Sequence, residues 1–281
     1  MKTFYPILDP RAPETSSPRG QCALGVMIKV PRAGASKTRL VPPLTHAEAA
    51  RLSAAFLRDT AANIAAACAE TYSAGSGRAA RAVAVYTPAG AEDAFDGLLS
   101  PGFALLAQRG ETFGERLSHA AADLLRLGYE SCCLIDSDSP TLPRALLTMA
   151  VEELGRPGDR LVLGPSDDGG YYLIGMKRAH PRLFEDIAWS TANVSTQTME
   201  RAREINLDVR LLPAWYDVDD APALRRLSDE LFGAPGNDVS DAKLAPYPAP
   251  HTRAELSRLL EGRAQLLTES AAARTPGEGF A

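Results

Sequence analysis

Two carboxylates one residue apart, Asp136 and Asp138, follow a short apolar run at residues 131–135. The run has the length and composition of a buried strand, and an apolar pattern at helical spacing begins after Pro143. Side chains that follow a strand lie where open α/β sheets bind their ligands. Asp-x-Asp at that point could hold Mg²⁺ or Mn²⁺, and the metal would carry substrate phosphates. A turn in which one Asp caps the next helix explains the same residues without a metal, so both interpretations stay open.

A basic loop follows the first predicted strand, residues 23–30. Its Lys37 and Arg39 could neutralise a phosphate while backbone N–H groups cradle it. The sequence around Lys37 resembles a Walker A motif, but that motif needs glycine in place of Pro31 and Ser36. We therefore reject a Walker A site and keep two interpretations, a phosphate-binding loop and a solvated basic turn.

Two more acidic groups follow predicted strands. Asp168 and the glycine pair 169–170 follow the fifth of six predicted strands, and Asp217 and Asp219 follow the sixth. The glycine pair permits close approach of the backbone to a ligand, and Asp-Gly is equally typical of a hairpin turn. Capping of the next helix explains one acid of the last group but not all of them.

Strands alternate with helices nearly throughout, which predicts a three-layer α/β domain with a mostly parallel sheet and helices on both faces. The sheet would gather the basic loop and the acidic groups along one edge. Gln108 and Arg109 follow the third strand and could contact a ligand or lie on the loop surface. We expect the domain to span residues 21–232, between a flexible leader (1–20) and a Pro-rich, partly helical appendage (233–281).

The composition excludes several classes of protein. A formal charge of −5 over 281 residues, without a dense Lys/Arg cluster, argues against nucleic acid as a partner. The apolar segments are too short for a membrane span, the N-terminus lacks a signal-peptide pattern, and the four cysteines form no C-x-x-C pair. We expect a soluble cytoplasmic protein that acts on small molecules. The sequence does not indicate an oligomeric state.

Five blocks carry a family resemblance. They are Lys29-x-Pro31-x-x-Gly34-x-x-Lys37-Thr38-Arg39-Leu40, Asp138-Ser139-Pro140-x-Leu142, Gly164-Pro165-x-x-Asp168-Gly169-Gly170-Tyr171-Tyr172-Leu173, Trp189-Ser190-Thr191 and Trp215-x-Asp217-Val218-Asp219. In this order they resemble the transferase family associated with radical-SAM and selenium-domain genes, a branch of the nucleotide-diphospho-sugar transferase superfamily with the GT-A fold. The first block is also similar to that of guanylyltransferases acting on phosphorylated three-carbon acids such as phospholactate.

The resemblance implies a role for each matching residue. A divalent ion, Mg²⁺ or Mn²⁺, would bind Asp138, Asp217 and Asp219. Asp136 stands where the family usually has glycine, so it would be an additional ligand or point away. The catalytic candidates are Lys37, Arg39, Asp138 and Asp168. Contacts with nucleotide or substrate are expected from Pro31, Gly34, Lys37, Arg39, Ser139, Gly169, Gly170, Tyr171, Ser190 and Thr191.

Two reactions suit this arrangement. In nucleotidyl transfer a small acceptor, with or without a phosphate group, attacks the α-phosphorus of a nucleoside triphosphate. In glycosyl transfer an acceptor attacks the sugar carbon of a nucleotide-sugar. The basic loop slightly favours the first, and a non-catalytic nucleotide-binding module remains a further alternative. A phosphatase of the haloacid dehalogenase type would need Thr or Val in place of Pro140 and would leave the last acidic group unexplained.

Overall fold

The computed structural model describes residues 3–12, 18, 20–73, 79–233 and 244–272. Within these ranges the strands are β1 (Gln21–Lys29), β2 (Ala79–Thr87), β3 (Ala104–Ala107), β4 (Ser131–Ile135), β5 (Arg160–Pro165), β6 (Tyr171–Met176) and β7 (Asp208–Leu211). The helices are α1 (His46–Ser73), α2 (Phe113–Arg126), α3 (Arg144–Gly155), α4 (Val194–Glu204), α5 (Ala221–Phe232) and α6 (Pro250–Ala272). None of the helices in the described ranges is long and apolar enough to cross a membrane.

The strands form one sheet in the order β3-β2-β1-β4-β6-β5-β7. All neighbours pair in parallel except β6, which is antiparallel to both β4 and β5. The prediction of a mostly parallel sheet is therefore confirmed. The carboxyl ends of six strands and the amino end of β6 lie along one edge, which we call the loop edge.

Helices cover both faces of the sheet because strand side chains alternate between the faces. Leu24 and Val26 of β1 pack with residues of α1 and α3, whereas Ala23 packs with residues of α2 and α4. β4 divides its side chains in the same way. The predicted three layers are present, and both layers of helices hold the sheet rigidly beneath the loop edge.

The segment at residues 244–262 packs on α1. Leu256 is buried in an apolar cluster with α1 and α5 residues. The carboxylate of the buried Asp59 accepts backbone hydrogen bonds from His251 (3.1 Å) and Thr252 (2.6 Å), which caps α6. The expectation that everything after residue 233 lies outside the core is thus wrong for this segment. Residues 234–243 and 273–281 lie outside the described residues.

The N-terminal residues also pack on the domain. Tyr5 is buried, and its hydroxyl donates to the Leu99 carbonyl at 2.7 Å. The backbone pairs with β3 through Leu8 N–H to the Leu105 carbonyl and Leu105 N–H to the Pro6 carbonyl, each at 2.8 Å. The expectation of a flexible leader is therefore wrong here, because these residues extend the sheet at its edge. Residues 1–2, 13–17 and 19 are outside the described part.

Candidate active site

Lys37 lies at the centre of the loop edge. The backbone at Lys37 is left-handed (φ 49°), and the side chain is only 5% exposed. Its Nζ lies 2.6 Å from Asp138 Oδ1 and 2.9 Å from Asp219 Oδ1, and it donates to the Val218 carbonyl at 2.8 Å. Burial alone would lower the pKa of Lys37, but the two carboxylates outweigh it and the pKa is raised. Three acceptors satisfy the three N–H donors of the ammonium.

Asp138 and Asp219 are held together by the backbone as well as by Lys37. The Val218 N–H donates to the Asp138 carbonyl at 2.9 Å, which joins the β4 loop to the β7 loop. Burial favours a higher pKa for Asp219, but the Lys37 charge dominates and the pKa is lowered. Arg39 Nη1 lies 3.8 Å from the second oxygen of Asp219. The structure therefore brings together acids that are far apart in the sequence.

In Asp136 and Asp217 the surroundings raise the pKa of the carboxyl group. Burial, followed by the charges of Asp138 and Asp217, raises the pKa of Asp136 well above its usual value. Burial and the charge of Asp168 raise the pKa of Asp217, although its Oδ1 accepts a 2.9 Å hydrogen bond from Ser166 Oγ. Because these carboxylates repel one another, a bound cation would lower the energy of the group.

The turn between β5 and β6 is a hairpin that contains Asp168. The Gly170 N–H donates to Asp168 Oδ1 at 2.8 Å. Gly169 has φ +90°, and a Cβ there would lie 2.1 Å from the Ala192 carbonyl oxygen. The Gly169 carbonyl accepts from Ser195 N–H at 2.9 Å. Only glycine fits this contact, which seats the turn against the segment before α4.

Aromatic side chains form one wall beside this turn. The Trp189 ring meets Phe113 edge-to-face, with centroids 5.1 Å apart, and Tyr171 with centroids 6.5 Å apart. Ser190 has φ 63°, and Thr191 Oγ1 donates to the Ala188 carbonyl at 2.7 Å. Phe113 remains 52% exposed at the rim, so it is available to a ligand.

A cavity of about 380 Å³, which we call the basic cavity, opens over β1. Its charged lining residues are Lys29, Lys37, Arg39, Arg116, Asp138 and Asp219. Four cations thus face two carboxylates, and Lys37 is already paired with both. The cavity has a net positive lining that suits a polyanion.

A second cavity, of about 350 Å³, lies over β4 and the β5–β6 turn, and we call it the acidic cavity. Its charged lining residues are Arg39, Asp136, Asp138, Asp168, Asp217 and Asp219. Both cavities include Arg39, Phe113, Asp138 and Asp219 in their lining, so they adjoin. Two sites of opposite charge therefore meet at the Lys37 ion pairs.

The residues expected to contact ligand divide into three sets. Pro31, Lys37 and Arg39 line the basic cavity. Gly170, Tyr171, Ser190 and Thr191 line the acidic cavity. Within the described part of the chain, Gly34, Ser139 and Gly169 line neither cavity. Ser139 instead donates its hydroxyl to Asp136 at 3.0 Å, and Gly34 has φ +78°, so these residues shape their loops.

Sequence reasoning missed Arg116 and Ser166, and it did not separate Gln108 from Arg109. Arg109 Nε pairs with the buried Asp123 at 2.6 Å, whereas Gln108 lines the basic cavity. Arg116 lies in the first turn of α2, so the direction in which its side chain points depends on the residue at which the helix begins. The capping box at Thr112 and Glu115, which the sequence shows as T-x-x-E, was the available signal.

The carboxylates fit a divalent ion by donor type. Hard oxygen ligands from Asp136, Asp138, Asp217 and Asp219 suit Mg²⁺ or Mn²⁺. Among the described residues, no three His, Cys, Asp or Glu side chains converge closely enough to form a complete site. Lys37 occupies one oxygen each of Asp138 and Asp219.

Comparison with known proteins supports this fold. Residues 71–191 match the bacterial family described as "uncharacterized protein conserved in bacteria (DUF2064)". A solved protein from Desulfovibrio desulfuricans G20, whose name as a nucleotide-diphospho-sugar transferase is provisional, is 29% identical, with a TM-score of 0.67 over 85% of this chain and 95% of that one. The chain thus has the α/β fold of the nucleotide-diphospho-sugar transferases.

Two more distant solved structures also match the chain. CMP:2-keto-3-deoxy-manno-octonic acid synthetase, solved with CTP, is 10% identical with a TM-score of 0.44, over 74% of this chain and 96% of that chain. Rv0371c of Mycobacterium tuberculosis H37Rv, solved with manganese, is 17% identical with a TM-score of 0.41, over 74% and 97%. Likeness at this level carries no weight for function. No curated protein matches the sequence.

Proposed function

We propose that this protein is a metal-dependent transferase that moves a nucleotidyl group from a nucleoside triphosphate to a small acceptor. The observation that carries the proposal is the junction of the basic and acidic cavities at Asp138, Asp219 and Arg39. A donor in one cavity and an acceptor in the other would place their reacting atoms at this junction. Positioning of this kind contributes much of the rate in group transfer.

The basic cavity would bind the triphosphate. Lys29, Arg39 and Arg116 supply positive charge, and Arg39 is largely exposed and free to reorient. Lys37 was expected to contact phosphate, but its three N–H donors are used by Asp138, Asp219 and the Val218 carbonyl. We assign Lys37 the role of positioning the two carboxylates, and Arg39 the role of stabilising phosphate charge in the transition state.

Asp136 and Asp217, with the oxygens of Asp138 and Asp219 that Lys37 does not contact, would hold the divalent ion after moving closer together than they lie here. When bound, that ion supplies Lewis-acid stabilisation of phosphate oxygens and of the leaving pyrophosphate. Ser166 and Ser139 orient two of the ligands by hydrogen bonds of 2.9 Å and 3.0 Å. Such outer contacts hold metal ligands in place.

The charge of the acidic cavity favours a hydroxyl acceptor over an acidic one. Five carboxylates and one guanidinium line it, so the lining stays net negative even with a divalent ion bound, and a phosphorylated acceptor would enter against that charge. Asp168 is exposed at this cavity and uses Oδ1 for the Gly170 N–H, which leaves Oδ2 to accept the proton of an attacking hydroxyl. The Tyr171 and Trp189 rings would pack on the apolar part of the acceptor.

Glycosyl transfer from a nucleotide-sugar is the second candidate. The similarity that favours it is the 29% identity to the Desulfovibrio protein, with its provisional name as a nucleotide-diphospho-sugar transferase. The two reactions leave different products, pyrophosphate in one and a nucleoside diphosphate in the other. Product analysis therefore separates them.

The test is incubation of the full chain and Mn²⁺ with each nucleoside triphosphate or nucleotide-sugar, against a panel of polyols, sugars and phospho-acids. We expect pyrophosphate release with a hydroxyl acceptor, and loss of that release in the Asp138→Asn variant. Asp167→Asn is the matched control, because Asp167 lies in the same turn as Asp168 but pairs with Arg226 at 2.6 Å. Release of nucleoside diphosphate alone would establish glycosyl transfer. Tight binding without turnover would indicate a non-catalytic module.

A further inference from the structure

β7 is the outer strand at one end of the sheet. At the opposite end β3 pairs with N-terminal residues through the Ile7–Leu105 bridge, whereas none of the described residues pairs with β7 on the side away from β5. Leu211 of β7 is 58% exposed. An outer strand of this kind offers its backbone N–H and C=O groups to another strand.

The backbone bond to β5 shows which residues of β7 offer these groups. The Leu212 N–H donates to the Leu163 carbonyl at 2.9 Å. Because backbone groups point to alternate sides along a strand, the other even-numbered residues of β7 also face β5. The N–H and C=O groups of Val209 and Leu211 therefore point away from the sheet, where a further strand would pair.

The side chains of β7 differ in chemistry between the two faces of the sheet. Val209 packs against the apolar cluster that contains α4 residues, and the alternation of the strand puts Leu211 on the same face. Asp208 and Arg210 lie on the other face, where Arg210 Nη2 is 3.2 Å from Asp208 Oδ2 and both side chains are about half exposed. The strand thus has an apolar face and a face with one charge of each sign.

These charges distinguish the ways in which β7 could pair antiparallel with a second copy of itself. Only residues whose backbone groups point outward can exchange hydrogen bonds. If Val209 faces Val209 of the second copy, Asp208 lies opposite Arg210 twice, at positions where side chains approach closely. The two neighbouring registers place Arg210 opposite Arg210, or Asp208 opposite Asp208. Opposite charges stabilise a cross-strand pair and like charges destabilise it, so the first register is favoured.

We infer that the chain forms a two-fold dimer in which the two β7 strands pair antiparallel, with Val209 on the axis. The two seven-stranded sheets then form one continuous sheet. Asp208 and Arg210 form two equivalent ion pairs with the second copy, and Leu211 lies opposite Leu207 of that copy. A contact of one surface with itself closes after two subunits. The inference concerns assembly and is independent of the proposed function.

Sedimentation velocity of the full chain at concentrations on the order of 1 µM to 1 mM tests the dimer. We expect the wild type to dimerise as its concentration rises. Asp208→Arg puts like charges opposite each other in every register, and it should raise the dimer Kd at least about tenfold. The double variant Asp208→Arg, Arg210→Asp exchanges the charges and should restore the wild-type Kd. Arg81→Asp is the control, because it reverses a charge on β2 near the other end of the sheet and should leave the Kd unchanged.

A mixture of two single variants gives a second measurement. Asp208→Arg carries two arginines at this edge and Arg210→Asp carries two aspartates, so each variant repels itself while the two attract each other. We expect a heterodimer in the mixture at concentrations where neither variant dimerises alone. Val209→Pro removes an outward N–H and leaves the bonds to β5 in place, so it should also abolish the dimer.

A wild type that stays monomeric over the whole concentration range overturns the inference. A dimer that persists in Asp208→Arg and in Val209→Pro also overturns it, because that dimer would use another surface. The same holds if neither the double variant nor the mixture restores association. Circular dichroism checks that each variant is folded. Should Asp208→Arg not fold, the comparison of Val209→Pro with the double variant decides on the same terms.

Discussion

The two halves of the sheet carry opposite charge at the loop edge. The β3-β2-β1 half is entirely parallel and ends at the basic cavity, whose lining includes Lys29 and Arg39. The β6-β5-β7 half contains the antiparallel β6 and ends in the carboxylates of the acidic cavity. The separation is incomplete at the boundary, since Arg39 lines both cavities and Asp219 reaches the basic one.

The two halves are joined at β4 by the contacts of Lys37. Lys37 belongs by sequence to the basic loop, but its side chain is buried among carboxylates of the other half. Lys37 thus stabilises the junction, and Lys29, Arg39 and Arg116 are the other cations that line the basic cavity. This arrangement predicts different effects for substitutions at Lys37, at the acidic cavity and at the basic cavity.

The largest effect is expected from Lys37→Met, which leaves Asp138 and Asp219 without their shared counter-ion. We expect turnover to fall more than about a hundredfold. The free energy of unfolding should fall by roughly 1–3 kcal/mol, less than for a fully buried pair because both acids are partly exposed. Urea denaturation measures the second quantity. The triple variant Lys37→Met, Asp138→Asn, Asp219→Asn should regain most of the lost stability, because the two side chains no longer repel each other. If it is no more stable than Lys37→Met, repulsion between Asp138 and Asp219 is not the cause of the loss.

Gly169→Ala should damage the acidic cavity, whereas Gly34→Ala should barely affect the basic one. Both glycines have positive φ, but an added Cβ meets the Ala192 carbonyl at 2.1 Å only at Gly169, and it meets nothing within 4 Å at Gly34. We expect a loss of more than about 2 kcal/mol for Gly169→Ala and about 1 kcal/mol for Gly34→Ala. Thermal unfolding of both variants measures the difference. Equal losses of stability in the two variants would show that the contact with Ala192 does not require glycine at position 169.

Asp217→Asn tests whether the metal belongs to the acidic half. We expect Mn²⁺ affinity to fall at least about tenfold in this variant, while Asp167→Asn remains close to wild type. Calorimetric titration with Mn²⁺ gives both values without an assay of activity. Equal affinities in the two variants would remove Asp217 from the metal site.

Asp59→Ala should have the smallest effect on the two cavities. It removes the carboxylate that caps α6, at a cost of about 1–2 kcal/mol in stability. Nucleotide affinity should stay within about twofold, because none of the described α6 residues lines the basic or the acidic cavity. A combined thermal and nucleotide titration checks this, and a large loss of nucleotide affinity would link α6 to the site.

The fold class, and the meeting of the loops at one edge of the sheet, could both be predicted from the sequence. Alternation of apolar runs with helical patterns predicted the parallel sheet, and parallel strands place Asp138 and Asp219 at one edge whatever their separation in sequence. The Asp-Gly signal likewise matched the β5–β6 hairpin, in which the Ser166 N–H donates to the Gly170 carbonyl at 3.0 Å.

The partners of individual side chains were beyond the sequence. A lysine buried among acids and a solvated lysine have the same local sequence pattern, and the left-handed backbone and the two ion pairs of Lys37 are visible only in the structure. Gln108 and Arg109 are neighbours in sequence but make different contacts. The Gln108 side chain donates to the Val85 and Ile28 carbonyls, whereas the Arg109 side chain pairs with Asp123. The burial of Leu256 depends on a long-range contact with α1, which no local periodicity encodes.

Calorimetric titration of a nucleoside triphosphate, in the presence of Mn²⁺, into wild type and into the Arg116→Ala variant tests the central claim most directly. Arg116 lines only the basic cavity of the two and donates to the Gly110 carbonyl at 3.1 Å with Nε, which leaves its remaining N–H groups for phosphate. We predict one binding site in the wild type and an affinity at least about tenfold lower in the variant. Identical affinities, or no binding to the wild type, would contradict a nucleotide site in the basic cavity.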